Sequence, residues 1–341
     1  MNNQSPVTRE GPQNQVPGRQ APADDSTKRK RRRKGGEQPT VPDADFKSYY
    51  GLPVLNSPTW EEPDIPGYLF LGGLAGAASA MAAMADLRGD HELARASKVG
   101  ASAGAALSLV ALVHDLGRPR RFLNMLRVLK VTSPMSVGSW LLSAYVPATI
   151  VAAASSVSRR WRPLGALGTA GAALLGPGVA SYTAALISDT AVPAWHDGHR
   201  EMPFVFVTSG AMAAGGLGLA AAPAPEQGLA RRVAIFGAVG ELVSSQVMER
   251  RMGMVAEPYR TGKSGRRMKI GKALALAGGA LVVFGRGDRV VSALGGGTLV
   301  LASAFTRFGI FEAGMASSRD PKYTVKPQRA RLDSRTPPAS S

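Results

Sequence analysis

Long apolar stretches alternate with short polar segments over most of this 341-residue chain, from Ile65 to Phe311. Each stretch has about the 17–25 residues that an α-helix needs to cross the hydrocarbon core of a bilayer. Because soluble domains do not contain so many runs of this length, the pattern predicts an all-α integral membrane protein. About eight transmembrane helices are expected, over Ile65–Leu87, Ala96–Leu116, Pro134–Val157, Leu164–Ile187, Met202–Ala222, Val233–Met248, Met268–Phe284 and Val290–Phe311.

The order of the apolar stretches also predicts the domain organisation. We expect a membrane domain over residues 59–315, built as two four-helix bundles at 65–187 and 202–311. Residues 1–58 and 316–341 are polar and lack periodicity, which predicts a disordered N-terminal tail and a polar C-terminal tail. The sequence Gly176-Pro177-Gly178 inside the fourth stretch predicts either a kinked helix or two shorter pieces.

The chain is basic, with a formal net charge of +17. Its N-terminal tail contains the polybasic run Lys28–Lys34, which no apolar segment follows closely enough for a signal peptide. In a membrane protein such a run is typical of attraction to anionic lipid, and nucleic acid is not an expected partner. Lys and Arg are concentrated in the two tails and in the loop Glu249–Lys272. If the chain has eight spans, these three segments lie on the same side of the membrane. The positive-inside rule therefore predicts a multi-pass protein of the cell membrane with both termini in the cytoplasm.

Two residue counts restrict the redox chemistry of this chain. It contains no Cys, so a thiolate-ligated iron–sulfur cluster is not expected within it. Of its four His, only His114 falls within a predicted span, so a haem held by two facing His is not expected either. His196 and His199 beside Asp197 are a weak metal signal, and no metal site is predicted.

Two segments carry a resemblance to a known family. Residues 115–140 combine a DLGRP turn, an RFLNM segment and SPMSVGSW at the start of the third span, and residues 192–204 read VPAWHDGHREMPF. The region from Trp60 to Glu201 resembles the NrfD/polysulfide-reductase family of integral membrane subunits. The resemblance implies a membrane-anchor subunit that exchanges electrons and protons between a quinone pool, menaquinone by expectation, and an iron–sulfur partner. That ferredoxin-like partner would in turn serve a molybdopterin oxidoreductase subunit.

The resemblance and the positions of ionisable residues predict a site near the ends of the first two spans. His114 and Asp115 end the second span and are candidates for proton handling, because imidazole and carboxylate exchange protons near neutral pH. Capping of the helix end in water is the alternative for both. Asp64 and Tyr68 are four residues apart and share one face of the first helix. They match the family's quinone-lining positions, although interfacial anchoring also explains Tyr68.

Further polar residues are assigned to the quinone or to the partner. Asn124, Ser136 and Tyr182 are candidates for hydrogen bonds to the quinone headgroup. The alternatives are backbone satisfaction at a helix start for Asn124 and Ser136, and core packing for Tyr182. Candidate partner-docking residues lie in the two basic loops, although lipid phosphate is an alternative ligand for the first two: Arg118, Arg121, Trp195, His196, Asp197 and Arg200. Glu241 and Gln246 lie inside the sixth span, where a carboxylate serves either a proton path or a structural hydrogen bond.

Two other functions remain alternatives. A secondary transporter uses interrupted spans and charges at mid-membrane, which Gly176–Gly178 and Glu241 would supply. However, the last four spans show no convincing inverted repeat of the first four, and polar residues cluster at span ends. The other alternative is a structural membrane anchor without its own quinone site, which quinone-dependent electron transfer would exclude.

Overall fold

The computed structural model describes residues 54–117, 120–158 and 161–333. No β-strand occurs in these ranges, which confirms the predicted all-α class. Most of the predicted disordered N-terminal tail, its run Lys28–Lys34 and the docking candidate Arg118 lie outside the described residues. The described helices are α1 (Asp64–Arg88), α2 (His91–Asp115), α3 (Arg120–Met125), α4 (Pro134–Ser158), α5 (Arg162–Ser188), α6 (Pro193–His196), α7 (Met202–Ala221), α8 (Gln227–Arg251), α9 (Glu257–Arg260), α10 (Gly262–Phe284), α11 (Arg289–Arg319) and α12 (Lys322–Asp333).

Eight of these helices coincide with the eight predicted apolar stretches. Six are long and apolar enough to cross a membrane, namely α1, α2, α4, α5, α7 and α11. The sixth and seventh stretches form α8 and α10, which fall outside this set because charged residues recur along them. In α8 these include Glu241 and Glu249, and in α10 they include Arg267 and Lys272. Length and composition therefore identify six candidate membrane spans in the described part of the chain.

The long helices pack in pairs that follow the chain order: α1 with α2, α4 with α5, α7 with α8, and α10 with α11. α1 also packs against α5, α7 and α11 and so occupies the centre. Glycines allow close approaches between helices; a Cβ atom on Gly176 of α5, for example, would lie 2.4 Å from the carbonyl oxygen of Gly76 in α1. α5 continues unbroken past Pro177, so the alternative of two shorter pieces is wrong.

One end of the helix array, here called the N-terminal face, is where α1, α4, α7 and α10 begin. Contacts between its loops hold it together. The rings of Trp60 and Trp195 stack with centroids 5.6 Å apart, and the Tyr259 hydroxyl donates to the carbonyl of Ala194 at 2.9 Å. The segment before α1, the loop at 189–201 and the turn at 252–261 therefore lie on the same face. The predicted placement of the two family motifs on one side is consistent with this arrangement.

Ion pairs at this face link the segment before α1 to α10 and α11, and α12 to the turn at 252–261. Arg267 of α10 contacts Glu62 at 2.5 Å and Glu312 of α11 at 3.0 Å. The hydrogen bond from Arg267 lowers the pKa of Glu62 below its usual value. The predicted polar C-terminal tail contains the end of α11 and all of α12. Within α12, Tyr323 is buried and Lys322 pairs with Glu257 at 3.1 Å.

Candidate functional site

The ends of α1 and α2 bring acidic groups and an imidazole together at the N-terminal face. The Nδ1 atom of His114 lies 2.6 Å from Oδ2 of Asp64. The backbone N–H of Glu61 donates to Asp115 at 3.2 Å. His114 is 78% exposed at its side chain, whereas Asp64 is 19% exposed. The carboxylate of Asp64 therefore orients an accessible imidazole, and we call Asp64, His114 and Asp115 the acid–imidazole cluster.

This cluster arises from the local order of the sequence. α1 begins at Asp64, and α2 ends at Asp115 after the short turn at residues 89–90. Two paired helices of equal length, 25 residues each, place the start of the first beside the end of the second. The predicted meeting of Asp64 with His114 and Asp115 at one face agrees with these contacts, while their roles in binding and proton transfer remain predictions.

Tyr68 lies one turn into α1 from Asp64, as predicted, but its side chain is only 1% exposed. Its backbone carbonyl accepts a hydrogen bond from Ser108 of α2 at 3.1 Å. Burial places Tyr68 within the core between α1 and its neighbours and not at the interface with water. The alternative of interfacial anchoring for Tyr68 therefore does not fit its position.

The other predicted headgroup ligands occupy three different environments. Ser136 accepts from the backbone N–H of Lys130 and donates to the carbonyl of Val128, both at 3.0 Å. Its hydroxyl thus organises the loop before α4. Tyr182 packs so closely on α4 that a Cβ atom on Gly138 would lie 2.1 Å from its ring. Asn124 is exposed in α3. The alternatives to quinone binding are therefore both observed: Ser136 hydrogen-bonds to backbone groups, and Tyr182 packs against a neighbouring helix.

The loop at 189–201 contains one residue whose predicted docking role does not fit the structure. Trp195 is fully buried. Its indole N–H donates to the carbonyl of Ile310 at 2.9 Å, and its ring also packs against Phe311 and Gly314. A side chain enclosed by α11 in this way presents no surface to a partner. Trp195 is therefore a core residue that fixes the loop, and its stacking on Trp60 extends the contact to the segment before α1.

The remaining docking candidates on this loop stay accessible. His196 and Arg200 are exposed, and Asp197 is partly exposed. Arg121 is also exposed and donates to the carbonyl of Leu116 at 3.3 Å. The loop is anchored through Glu201, whose carboxylate accepts from Arg251 of α8 at 2.6 Å. That hydrogen bond lowers the pKa of Glu201 below its usual value.

The family comparison agrees with this geometry. A profile described as Polysulphide reductase, NrfD, matches residues 56–224. The chain belongs to the NrfD family. The matched range runs from the segment before α1 past the end of α7 and includes the acid–imidazole cluster and the anchored loop. No match is found among curated proteins. Together with the six apolar helices, the family assigns this NrfD protein to the membrane.

A second polar cluster lies beyond the range that the NrfD profile matches. Glu241 of α8 is 1% exposed and accepts from the Thr306 hydroxyl of α11 at 2.7 Å. The neighbouring Arg307 is fully buried, donates to the carbonyl of Phe206 at 2.5 Å and lies 3.7 Å from the centroid of that ring. Glu241 was predicted from the sequence, whereas Arg307 was not. An arginine within the last apolar stretch was the signal that would have found it.

No group of three or more potential metal ligands converges among the described residues. The rings of His196 and His199 are tilted by 33° with their centroids 5.8 Å apart. The Nδ1 atom of His196 lies 3.1 Å from the carbonyl of Ser188, and that of His199 lies 2.9 Å from the carbonyl of His196. The acid–imidazole cluster has the composition of a proton-exchange site, since it offers one oriented imidazole and two carboxylates.

Proposed function

We propose that this chain is the quinone-reactive membrane subunit of a multisubunit oxidoreductase. It exchanges electrons and protons between the quinone pool, menaquinone in the simplest case, and a ferredoxin-like iron–sulfur subunit. That partner serves a molybdopterin-type catalytic subunit. Membership of the NrfD family supports the class of complex. The single observation that carries the site is the 2.6 Å contact between Asp64 and His114 at the adjoining ends of two membrane helices.

The chemistry of this contact suits a quinone. Oxidation of a quinol releases two protons with its two electrons, and reduction takes them up again. His114 accepts or returns one proton at its free ring nitrogen, because Asp64 holds the other nitrogen and stabilises the imidazolium form. Asp115, partly buried and accepting from the backbone N–H of Glu61, is the second proton acceptor. Tyr68 lies directly below this pair and provides the buried wall of the site.

The same face suits the docking of an iron–sulfur partner. The exposed side chains of Arg121, His196 and Arg200 lie on the same face as the acid–imidazole cluster. The contacts of Trp195 and Glu201 immobilise the loop that carries His196 and Arg200. An immobile loop loses little conformational entropy on binding, which favours a specific complex. A partner seated on this surface brings its nearest cluster close to the quinone site without crossing the membrane.

We further propose that all eight long helices span the membrane, including α8 and α10. On α8 the two glutamates face inward, with Glu241 1% and Glu249 5% exposed, and the arginines lie near the two ends of the helix. Its outer side carries an apolar stripe that recurs every three or four residues: Phe236, Val239, Val243 and Val247. Such an arrangement is typical of a helix that faces lipid. The distribution of Lys and Arg then supports both termini in the cytoplasm, with the protein in the cell membrane.

The test is quinone-linked turnover of the purified complex carrying His114→Asn. We expect a decrease of about a hundredfold, the usual size of a general acid–base contribution, while the complex still assembles. Asp64→Asn, Tyr68→Phe and Asp115→Asn should also lower turnover. His199→Asn is the matched control, because this exposed imidazole lies on the same face, outside the acid–imidazole cluster, and bonds to the backbone carbonyl of His196. Turnover at the wild-type rate in assembled His114→Asn and Asp115→Asn complexes would place the site elsewhere.

A further inference from the structure

We propose that Glu241 is a buried, exchangeable proton-binding site, reached from the N-terminal face through Ser245 and Glu249. The site lies in α8 and α11, beyond the residues that the NrfD profile matches. It is separate from the acid–imidazole cluster. The site binds water and a proton, and it can be detected in the purified chain without a quinone.

The first observation is the register of α8. Glu241, Ser245 and Glu249 follow one another at intervals of four residues and so share one face of the helix. Their exposed fractions are 1%, 2% and 5%, so this polar face points into the protein and not toward lipid. Glu249 ends the row at the N-terminal face, where it contacts Lys272 at 2.5 Å and Arg260 at 3.3 Å. The Arg260 side chain is half exposed, which connects the row to solvent.

The second observation is that four of the buried polar atoms without a hydrogen-bond partner in the described part of the protein belong to Glu241, Ser245 and Arg307. These are Oε2 of Glu241, Oγ of Ser245, and Nε and Nη1 of Arg307. Buried polar atoms are nearly always hydrogen-bonded to protein or to ordered water. A ligand at this place must accept a hydrogen bond from the guanidinium of Arg307, donate one to the carboxyl oxygen of Glu241, and bond to the hydroxyl of Ser245. Water can do all three.

The charges around Glu241 favour a proton over a metal cation. Arg307 from α11 and Lys272 from α10 are the charged groups whose fields reach it, and α7 contributes the hydroxyl of Ser209. A buried guanidinium repels a sodium ion beside it. Arg307 uses its Nη2 atom on the carbonyl of Phe206, and Glu241 accepts from the Thr306 hydroxyl at 2.7 Å, a neutral donor like the Ser209 hydroxyl. A carboxyl group bonded to neutral hydroxyls in an apolar interior is more stable as the neutral acid than as the carboxylate.

Proton release from this site leaves a negative carboxylate close to a positive guanidinium, so the two charges compensate. The O–H bond of the Glu241 carboxyl breaks, and the proton passes to water bonded to Ser245 and onward to Glu249. The carboxylate that remains faces the positive charge of Arg307. The reverse transfer restores the neutral acid. No oxidant or reductant takes part in this step.

Infrared spectroscopy of the purified full chain tests the proposal. We expect a carbonyl stretching band of a protonated carboxylic acid at neutral pH that shifts in D₂O and disappears in Glu241→Gln. Glu92→Gln, which changes an exposed glutamate on the opposite end of the array, should leave the band unchanged. The band should also be insensitive to sodium ions. Absence of the band from the wild-type protein, its retention in Glu241→Gln, or its loss on adding sodium would overturn the proposal.

The route is tested by the rate of the D₂O shift. Ser245→Ala should keep the band but slow its shift by roughly tenfold, as expected for the loss of one hydrogen-bonded link. Ser244→Ala is the matched control, because that hydroxyl bonds back to the carbonyl of Gly240 at 2.6 Å and lies off the polar face. Equal exchange rates in the two variants would show that protons reach Glu241 by another path.

Discussion

The contact between α1 and α5 gives the sharpest test of the fold, because two glycines beside the same proline have opposite surroundings. A Cβ atom on Gly176 would lie 2.4 Å from the carbonyl oxygen of Gly76 and 3.2 Å from its carbonyl carbon. Both are backbone atoms, so relief requires the two helices to separate. A Cβ atom on Gly178 would meet only the end of Leu141 at 3.5 Å, which is an ordinary contact.

The expected effect follows from two contributions. Replacing glycine by alanine within a helix stabilises it by about 1 kcal/mol, and Gly176→Ala and Gly178→Ala share this gain. Overpacking at a tight contact costs about 1–3 kcal/mol, and only Gly176→Ala incurs it. We therefore expect the free energy of unfolding of Gly176→Ala to be lower than that of Gly178→Ala by about 1–3 kcal/mol. Most of the helix propensity cancels in this comparison, and the ring of Pro177, which disfavours an α-helical alanine at position 176, adds to the expected difference in the same direction.

The assay is equilibrium unfolding of each purified variant in mixed micelles, followed by tryptophan fluorescence and circular dichroism. Gly178→Ala should match or exceed the wild-type protein, and Gly176→Ala should unfold at lower denaturant. Equal unfolding midpoints for the two variants would refute the close approach of α1 and α5 at Gly76. Greater stability of Gly176→Ala would refute it more strongly.

Two further predictions concern the N-terminal face. Trp195→Phe should destabilise the protein by about 1–3 kcal/mol through the lost hydrogen bond to Ile310 and the space left in the core. Trp140→Phe, at a position 42% exposed, should change stability by no more than about 0.5 kcal/mol in the same unfolding assay. Equal effects of the two substitutions would contradict the burial of Trp195. Because Arg251 lowers the pKa of Glu201, their pairing should stabilise the protein above the unfolded-state pKa of about 4.3 and lose this effect as pH falls through the lower folded-state pKa. Thermal unfolding at several pH values should show a smaller acid-induced loss in Arg251→Gln, and an unchanged pH profile would argue against the pair.

The proposed quinone site and the proposed proton-binding site at Glu241 can be tested independently of each other. Failure of His114→Asn to lower quinone turnover would remove the assigned quinone site but leave the infrared band of Glu241 unaffected. Conversely, absence of that band would leave the acid–imidazole cluster intact. The two sites lie in different helices, so each experiment reports on one of them.

The sequence by itself determined the helices and part of the site. The lengths of the apolar runs located all eight long helices, six of which are long and apolar enough to cross a membrane. The order of those helices placed the start of α1 beside the end of α2, which was enough to predict that Asp64 would meet His114. The motifs around Asp115 also indicated the family. These inferences succeed because membrane spans connected by short loops leave few possible arrangements of their ends.

Only the tertiary structure decided what the polar and aromatic side chains contact. Trp195 looks accessible in a polar loop, yet α11 encloses it because Gly314 leaves space for its ring. Ser136 has a hydroxyl group that could bond to a quinone headgroup, but this hydroxyl bonds to backbone groups of its own loop. Arg307 and Glu241 are 66 positions apart in the chain, and their shared environment exists only once α8 and α11 pack. Local patterns report periodicity and helix ends, whereas burial and pairing depend on which distant helix supplies the neighbouring atoms.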